Sequence, residues 1–83
     1  MNIKDLIKQF IYTEILYGQE NIRLEETTQL LDEGIIDSLG IMKLLAFLEE
    51  TFSIRMSEDE LIPENFESVG VISLLVEKKI KME

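Results

Sequence analysis

The sequence has 83 residues, enough for one small domain with a modest core. Its formal net charge is −9, which opposes binding to nucleic acid and to anionic membranes and favours encounters with basic protein surfaces. It contains neither cysteine nor histidine, so thiol catalysis, histidine-based proton transfer and cysteine/histidine zinc sites are excluded. No stretch is long and apolar enough to suggest a membrane span or a signal peptide. We therefore expect a single soluble, cytoplasmic domain over residues 1–83, and the acid-rich surface favours a monomer.

A stripe of apolar residues at helical spacing predicts a first helix from Ile3 to Tyr17. Gly18 is predicted to end this helix, because glycine is favoured just beyond helix C-termini. The residues of the stripe are Ile3, Leu6, Ile7, Phe10, Ile11 and Tyr17.

The segment from Gln19 to Asp37 loses the helical spacing. A connection this long in a small domain is either functional or contains a helix that the pattern does not reveal. Its isolated apolar residues predict that it packs across the core. These residues are Leu24, Leu30, Leu31, Ile35 and Ile36.

A second helix is predicted from Ser38 to about Thr51. One side of it has the spacing of a core-facing helix, and a second, weaker apolar stripe lies among charged residues on the other side. The core-facing side holds Ile41, Leu44, Leu45, Leu48 and Phe52, and the opposite side holds Leu39, Lys43, Ala46 and Glu50.

Two more helices are predicted after the second one. Ser57 and Glu60 have the spacing of a capping box, which predicts a short helix that Pro63 ends. Phe66 is predicted to anchor the following turn, and Ser68 to cap a last helix. That helix places Val69, Ile72, Leu75, Val76 and Ile80 on one face, with Lys78, Lys79 and Lys81 near its C-terminus, where cations suit the helix dipole. The chain is thus predicted to be an all-α bundle of three main helices and one short helix.

The start of the second helix is the most distinctive local feature of the sequence. Asp37 is a good N-cap, because its carboxylate can accept the unpaired N–H groups of the first turn. That leaves the Ser38 hydroxyl free at a helix N-terminus, whose partial positive charge favours an anion such as a phosphodiester. Taken alone, the Asp-Ser-Leu motif is a weak signal, and helix capping is then the better explanation of Ser38.

Other kinds of functional site find little support in the sequence. The acids at Asp32, Glu33 and Asp37 do not follow the alternating ligand order of an EF-hand calcium loop. No carboxylate pair is marked by its surroundings as an acid/base couple, and there is no glycine-rich phosphate loop. We therefore expect neither a metal site nor an enzyme active on its own.

The order of these elements resembles the acyl/peptidyl carrier protein family over nearly the whole chain. The matching residues are Gly34, Asp37-Ser38-Leu39, Leu48-Glu49-Glu50, Phe52 and Asn65-Phe66-Glu67-Ser68-Val69. The resemblance implies a four-helix bundle without catalytic activity. It further implies that a transferase using coenzyme A attaches 4′-phosphopantetheine to Ser38, with Asp37 and Leu39 beside it in the cofactor-binding motif. The arm ends in a thiol that holds an acyl or aminoacyl group as a thioester, which suits a chain without cysteine.

The resemblance also assigns partner recognition to the second helix. The expected partner-binding residues are Leu39, Met42, Lys43, Ala46, Glu49 and Glu50. The expected partners are a phosphopantetheinyl transferase, an adenylating ligase that loads the cargo, and downstream tailoring or condensing enzymes.

Two departures bear on the subtype within the family. Fatty-acid carriers tend to be acidic just after the motif leucine and again one turn later, where this chain has Gly40 and Lys43. These residues favour a stand-alone aminoacyl or peptidyl carrier of a specialised, nonribosomal-peptide-type pathway, a group that includes pathways oxidising a carrier-bound prolyl group. Two alternatives stay open: a fatty-acid or polyketide acyl carrier, and an unmodified helical protein-interaction module.

Overall fold

A computed structural model describes residues 2–17, 19 and 21–82 and shows an all-helical chain, as the sequence predicts. Helix α1 spans Ile3–Phe10, α2 spans Ser38–Phe52 and α3 spans Val69–Met82. Two short 3-10 helices, Glu58–Glu60 and Pro63–Phe66, lie between α2 and α3. No strand occurs among the described residues. None of the helices described there is long and apolar enough to cross a membrane.

Helix α1 begins at an unpredicted N-cap and continues into a wider π-helical turn. The Asn2 side chain accepts the Asp5 N–H at 2.8 Å, which satisfies a free donor of the first turn. After Phe10 the chain forms a π-helix over Ile11–Ile15, in which the Leu16 N–H donates to the Ile11 carbonyl at 2.9 Å.

The π-helical turn explains why the prediction that Tyr17 lies on the buried stripe is wrong. The extra residue in the turn shifts the helical phase, so Leu16 is buried instead and Tyr17 is 73% exposed. Tyr17 also adopts a left-handed conformation, with φ of 48°. Gly18, the predicted helix stop, lies outside the described residues.

The long connection packs across the core, as its isolated apolar residues predict. Leu24, Leu30 and Ile36 are buried. The Leu24 N–H donates to the Tyr12 hydroxyl at 2.7 Å. The Glu26 carbonyl accepts the Gly70 N–H at 3.0 Å, and these bonds fasten the connection to the first helical segment and to α3. The connection consists of turns and bends over its described residues, so it contains no missed helix there.

Helix α2 contributes one side to the core. Leu44 and Leu48 are fully buried, and three further residues of the predicted face, Ile41, Leu45 and Phe52, are partly buried. The helix ends one residue later than predicted, at Phe52, and Ser53 follows in a left-handed conformation with φ of 54°. The exposed side agrees with the prediction and includes Leu39, Lys43, Ala46 and Glu50.

The region after α2 differs from the predicted single short helix. The Ser57–Glu60 pair forms, since the Glu60 carboxylate accepts the Ser57 N–H at 2.9 Å, but the turn that it closes is a 3-10 helix. Pro63 does not end this helix and instead begins the second 3-10 helix, because a proline at the first helical position loses no hydrogen bond there. Phe66 is buried as predicted.

The last helix starts as the sequence predicts. The Ser68 hydroxyl accepts the Val71 N–H at 3.2 Å, which confirms Ser68 as the cap. Val69, Ile72 and Val76 are buried and Leu75 is partly buried, whereas Ile80 is 43% exposed at the edge of the predicted face.

Candidate functional site

The candidate site is built on the first turn of α2. The Asp37 carboxylate accepts the Gly40 N–H at 2.9 Å, which confirms Asp37 as the N-cap. Ser38 is exposed and is the first residue of the helix. Among the described residues no side chain or backbone group hydrogen-bonds to its hydroxyl. The Ser38 hydroxyl is therefore available to an incoming group at the positive end of a 15-residue helix.

A tight turn before the serine fixes its approach. The Leu30 carbonyl accepts the N–H groups of Ile35 and Ile36 at 2.9 and 3.1 Å. Gly34, which lies within this turn just before Ile35, has φ of 71°, a conformation that glycine adopts without a steric penalty. The Leu30 N–H donates to the Glu67 carbonyl at 2.8 Å, so the turn is also tied to the segment that precedes α3.

An apolar groove of about 350 Å³ opens beside Ser38. Helix α2 forms one wall, and the other is formed by Leu61, Ile62 and the second 3-10 helix, Pro63–Phe66. The lining residues are Leu31, Ser38, Ile41, Met42, Leu45, Leu61, Ile62, Pro63 and Phe66. The side walls of the groove provide apolar surface next to the serine, while the serine itself remains open to solvent.

The sequence interpretation missed Leu61 and Ile62, each 42% exposed. One sequence signal could have found them. They are two adjacent large apolar residues between an acidic turn and Pro63, in a segment too short to bury both.

The wall that contains Leu61 and Ile62 is held by Glu60. Its carbonyl accepts the Asn65 side-chain amide at 2.8 Å, and its carboxylate accepts the Ser57 N–H and the Lys79 ammonium. The Lys79 ammonium first, and the Ser57 N–H after it, hold the pKa of the Glu60 carboxyl below its ordinary value.

Five of the six predicted partner-binding residues of α2 are exposed, and Glu49 is the exception. Leu39 and Met42 are 73% and 63% exposed, and Ala46 is exposed one turn further on. Glu50 is exposed, whereas Glu49 is half-buried and its carboxylate accepts the Met56 N–H at 2.9 Å. One oxygen of Glu49 is therefore committed to holding the turn after α2.

The structure brings Lys43 together with a residue that the prediction had placed in the core. The Lys43 ammonium donates to the Tyr17 hydroxyl at 3.2 Å and lies 5.7 Å from the centroid of its ring. These two distances place the ammonium at the hydroxyl edge of the ring, so the hydrogen bond is the contact that joins the two side chains.

This geometry fits a phosphodiester-linked arm on Ser38. The hydroxyl is exposed and unpaired among the described residues, and the helix N-terminus favours the negative charge of a phosphodiester. Such an arm supplies a thiol at its far end, and the chain has no cysteine of its own. The chain would contribute the anchoring hydroxyl, the helix field and the apolar groove beside it.

Comparisons with known proteins agree with this arrangement. Residues 5–76 match the family described as "Phosphopantetheine attachment site". An acyl carrier protein homolog of Mycoplasmopsis pulmonis (strain UAB CTIP) is 36% identical over 75 residues, covering 90% of this chain and 97% of the relative. The D-alanyl carrier protein of Abiotrophia defectiva is 30% identical over 67 residues, covering 81% and 85% of the two chains.

Two solved structures are also similar. A chain in a crystal structure described as that of an FAD-dependent dehydrogenase has a TM-score of 0.74 and 34% identity, and the match covers 84% of this chain and 97% of that one. The structure of KstB-PCP(apo), a peptidyl carrier protein, has a TM-score of 0.71 and 37% identity, with 86% and 78% covered. Proteins of this family carry a covalently attached 4′-phosphopantetheine and are not catalysts. The chain belongs to the phosphopantetheine-binding family of acyl and peptidyl carrier proteins.

Proposed function

We propose that Ser38 is the attachment residue and that the chain, a single carrier domain over residues 1–83, holds an aminoacyl group as a thioester on the arm. The exposed Ser38 hydroxyl at the N-terminus of α2 carries this proposal. The field of the helix end supports the charge of the phosphodiester there. Asp37 and Leu39 flank the attachment point, Asp37 as the cap of the helix and Leu39 as an exposed apolar neighbour.

Two relatives and two residues support an aminoacyl cargo within a specialised, nonribosomal-peptide-type pathway. One relative is a D-alanyl carrier protein and one structural neighbour is a peptidyl carrier protein. Gly40 is buried and Lys43 is exposed on α2, at positions where fatty-acid carriers tend to be acidic. A cargo with an amino group would be selected by the loading enzyme rather than by this chain.

The proposed partners act in sequence. A phosphopantetheinyl transferase attaches the arm, an adenylating ligase loads it, and tailoring or condensing enzymes use the loaded group. A flavin-dependent dehydrogenase is a candidate tailoring enzyme, because a chain of similar length, matched over 97% of itself, belongs to a structure described as that of such an enzyme. A cytoplasmic location and a monomeric state stay predictions from the sequence.

We propose that these partners dock on the exposed side of α2. Leu39, Met42 and Ala46 form an apolar ridge along the helix. Lys43 and Glu50 lie beside the ridge. Glu49 would contribute the carboxylate oxygen that does not accept the Met56 N–H. An apolar centre with charges at its edge is typical of protein interfaces.

A second candidate is a fatty-acid or polyketide acyl carrier. The apolar groove beside Ser38 and the relative named as an acyl carrier protein homolog favour it. The two candidates differ in the enzyme that loads the arm, and a direct loading experiment separates them.

The experiment uses the protein after complete pantetheinylation, verified by intact mass. It is incubated with ATP and purified amino-acid-adenylating ligases for D-alanine, L-proline and other amino acids, and separately with a ligase that loads fatty acids. The proposal expects an aminoacyl mass gain that hydroxylamine removes, as it does from thioesters. Loading by the fatty-acid ligase alone would contradict the aminoacyl assignment. The interaction-module alternative predicts instead that the Ser38→Ala variant keeps full biological activity.

A further inference from the structure

Leu74, in the middle of α3, is an exposed apolar side chain that the proposed function leaves unused. It is 65% exposed. At about 3.6 residues per turn, Leu74 points away from the side of the helix that holds the buried Ile72 and Val76. None of the residues that line the groove beside Ser38 belongs to α3. The outer side of α3, centred on Leu74, is therefore a surface separate from that groove.

The two ends of this outer side carry opposite charges, and a single exposed leucine without them would be ordinary. Glu67 is exposed just before the helix, and its backbone already has helical angles. Two more exposed acids line the same small pocket as Glu67, namely Asp32 and Glu64. Lys78 and Lys81 are exposed beyond Leu74, and neither pairs with a carboxylate among the described residues. The surface thus runs from an acidic end through an apolar centre to a basic end.

Glu77 is the one acid in the sequence of α3, and it lies on the flank of this outer side. That flank faces the first helix, because Glu26 mainly and Glu77 more weakly raise the pKa of the Lys4 ammonium. Glu77 therefore belongs to the edge beside Lys4. Two lysines against this one acid leave the basic end positive.

The outer side of α3 is complementary to itself. Glu67 and Lys81 each lie seven positions from Leu74, about 10 Å along the helix at 1.5 Å per residue. When two copies pack α3 on α3 antiparallel, with Leu74 against Leu74, the twofold axis brings each Glu67 to the Lys81 of the other copy. The same packing lays the aliphatic stem of Lys78 along the half-buried Val71. A second copy therefore meets this surface with apolar groups at its centre and matching charges at both ends.

We propose that the outer side of α3 binds a second copy of this chain, antiparallel about Leu74. This inference goes beyond the proposed function and does not depend on the cargo. The contact is one helix wide, well below the roughly 800 Å² per partner of a standard interface. The net charge of −9 on each copy also opposes it. The association is therefore transient, and the chain stays monomeric in dilute solution.

The proposed pairing leaves the site of each copy open. Ser38 is exposed on α2, and the groove beside it has no wall from α3. Two copies joined through α3 would thus present two arms in one particle. An enzyme that engages one arm then meets the second at a raised local concentration.

The test uses the full chain before pantetheinylation, verified by intact mass. The sequence has no cysteine, so an introduced cysteine is the only thiol present. Leu74→Cys places it on the outer side of α3. Leu39→Cys is the matched control on α2, because Leu39 is 73% exposed and Leu74 65%. Facing positions on two helices about 8–10 Å apart lie within reach of a disulfide.

The quantity measured is the rate at which disulfide-linked dimers form in air with a copper–phenanthroline catalyst, at several protein concentrations. Each rate is divided by the rate at which the same variant reacts with a small disulfide reagent, which corrects for differences in thiol reactivity. Circular dichroism shows whether each variant is folded.

We expect Leu74→Cys to form dimers about tenfold faster than Leu39→Cys after this correction, because the contact raises the local concentration of the two thiols. In the Leu74→Cys background, Glu67→Lys and Lys81→Glu should each slow the reaction about threefold. These two substitutions change the net charge in opposite directions, so general repulsion between copies predicts opposite effects. Combining them should restore the rate, because the two charges are then exchanged and the net charge is unchanged.

Sedimentation equilibrium gives an independent measurement on wild type, with Leu74→Gln as the monomeric reference of the same charge. The average mass of wild type should rise above that of Leu74→Gln as the protein concentration approaches about 1 mM, the range expected of a weak contact.

Three outcomes overturn the inference. The first is a folded Leu74→Cys variant that cross-links no faster than Leu39→Cys, which would leave the outer side of α3 to a different protein or to solvent. The second is a pair of charge variants whose rates follow the net charge, or a double variant that stays slow. The third is an equal average mass of wild type and Leu74→Gln at the highest concentration.

Discussion

The Lys79 ammonium lies 2.8 Å from a carboxylate oxygen of Glu60 and joins α3 to the wall of the groove beside Ser38. The two side chains are 17% and 25% exposed, which makes this the most shielded ion pair among the described residues. The same Glu60 oxygen accepts the Ser57 N–H, and the Glu60 backbone receives the Asn65 amide. Glu60 is therefore the residue that fixes the Leu61–Ile62 segment against the bundle.

Replacing Glu60 with glutamine is expected to destabilise the fold. Glutamine keeps an oxygen for the Ser57 N–H but loses the charge that pairs with Lys79, so we expect a loss of about 1 kcal/mol in the free energy of unfolding. Urea unfolding, monitored by circular dichroism, measures this change in the free energy of unfolding. Glu58→Gln is the matched control, because Glu58 is an exposed acid in the same 3-10 helix. Equal stability of the two variants would contradict the role assigned to Glu60.

The same pair predicts how stability depends on pH. Because the folded-state pKa of Glu60 is lowered, its contribution is complete above the ordinary glutamate value of 4.5 and is lost as the pH falls through the lowered value. The difference in unfolding free energy between wild type and Glu60→Gln should thus be constant from pH 7 to pH 5 and shrink in more acidic solution. Urea titrations at several pH values test this prediction. A difference in unfolding free energy that grows on acidification would contradict it.

Removing the cap of α2 is expected to loosen the start of the helix. Asp37→Ala deletes the acceptor of the Gly40 N–H and should cost about 1 kcal/mol of stability. Asp37→Asn keeps a capping oxygen and should lose far less. Amide hydrogen exchange of residues 39–41 reports the local effect, and unchanged exchange in Asp37→Ala would argue against the cap.

Gly40 illustrates a close approach that limits substitution. A β-carbon there would lie 2.9 Å from the γ-methyl of the buried Ile36. We expect Gly40→Ala to be destabilising by about 1 kcal/mol, because the overpacking outweighs the gain in helix propensity. In an Ile36→Ala background the same substitution should lower the free energy of unfolding by less. Chemical unfolding of wild type, the two single variants and the double variant tests this. A Gly40→Ala variant more stable than wild type would contradict the proposed contact.

The structural elements that the sequence predicts correctly are those determined by residues close to one another in the chain. Asp37 and Ser68 are caps that depend on the next three residues, and the Leu44–Leu48 side of α2 follows from helical spacing. Tyr17 could not be placed, because the π-helical turn that shifts its phase leaves no reliable mark in the spacing. Pro63 was compatible with either a helix end or a helix start.

The site shows the same division between local and long-range causes. Ser38 at a helix N-terminus could be read from its neighbours and from the family resemblance. The Lys43–Tyr17 and Glu60–Lys79 contacts join residues that are 26 and 19 positions apart. Which distant side chains meet depends on how the helices pack, and no local pattern encodes that.

The most direct test of the account is intact mass spectrometry of wild type and Ser38→Ala after incubation with a broad-specificity phosphopantetheinyl transferase, magnesium and coenzyme A. Ser38→Ala removes only an exposed hydroxyl without an intramolecular partner among the described residues, so it is expected to fold like wild type. The account predicts the gain of one phosphopantetheine arm on wild type and none on the variant. No gain on folded wild type with several transferases, or an equal gain on Ser38→Ala, would contradict it.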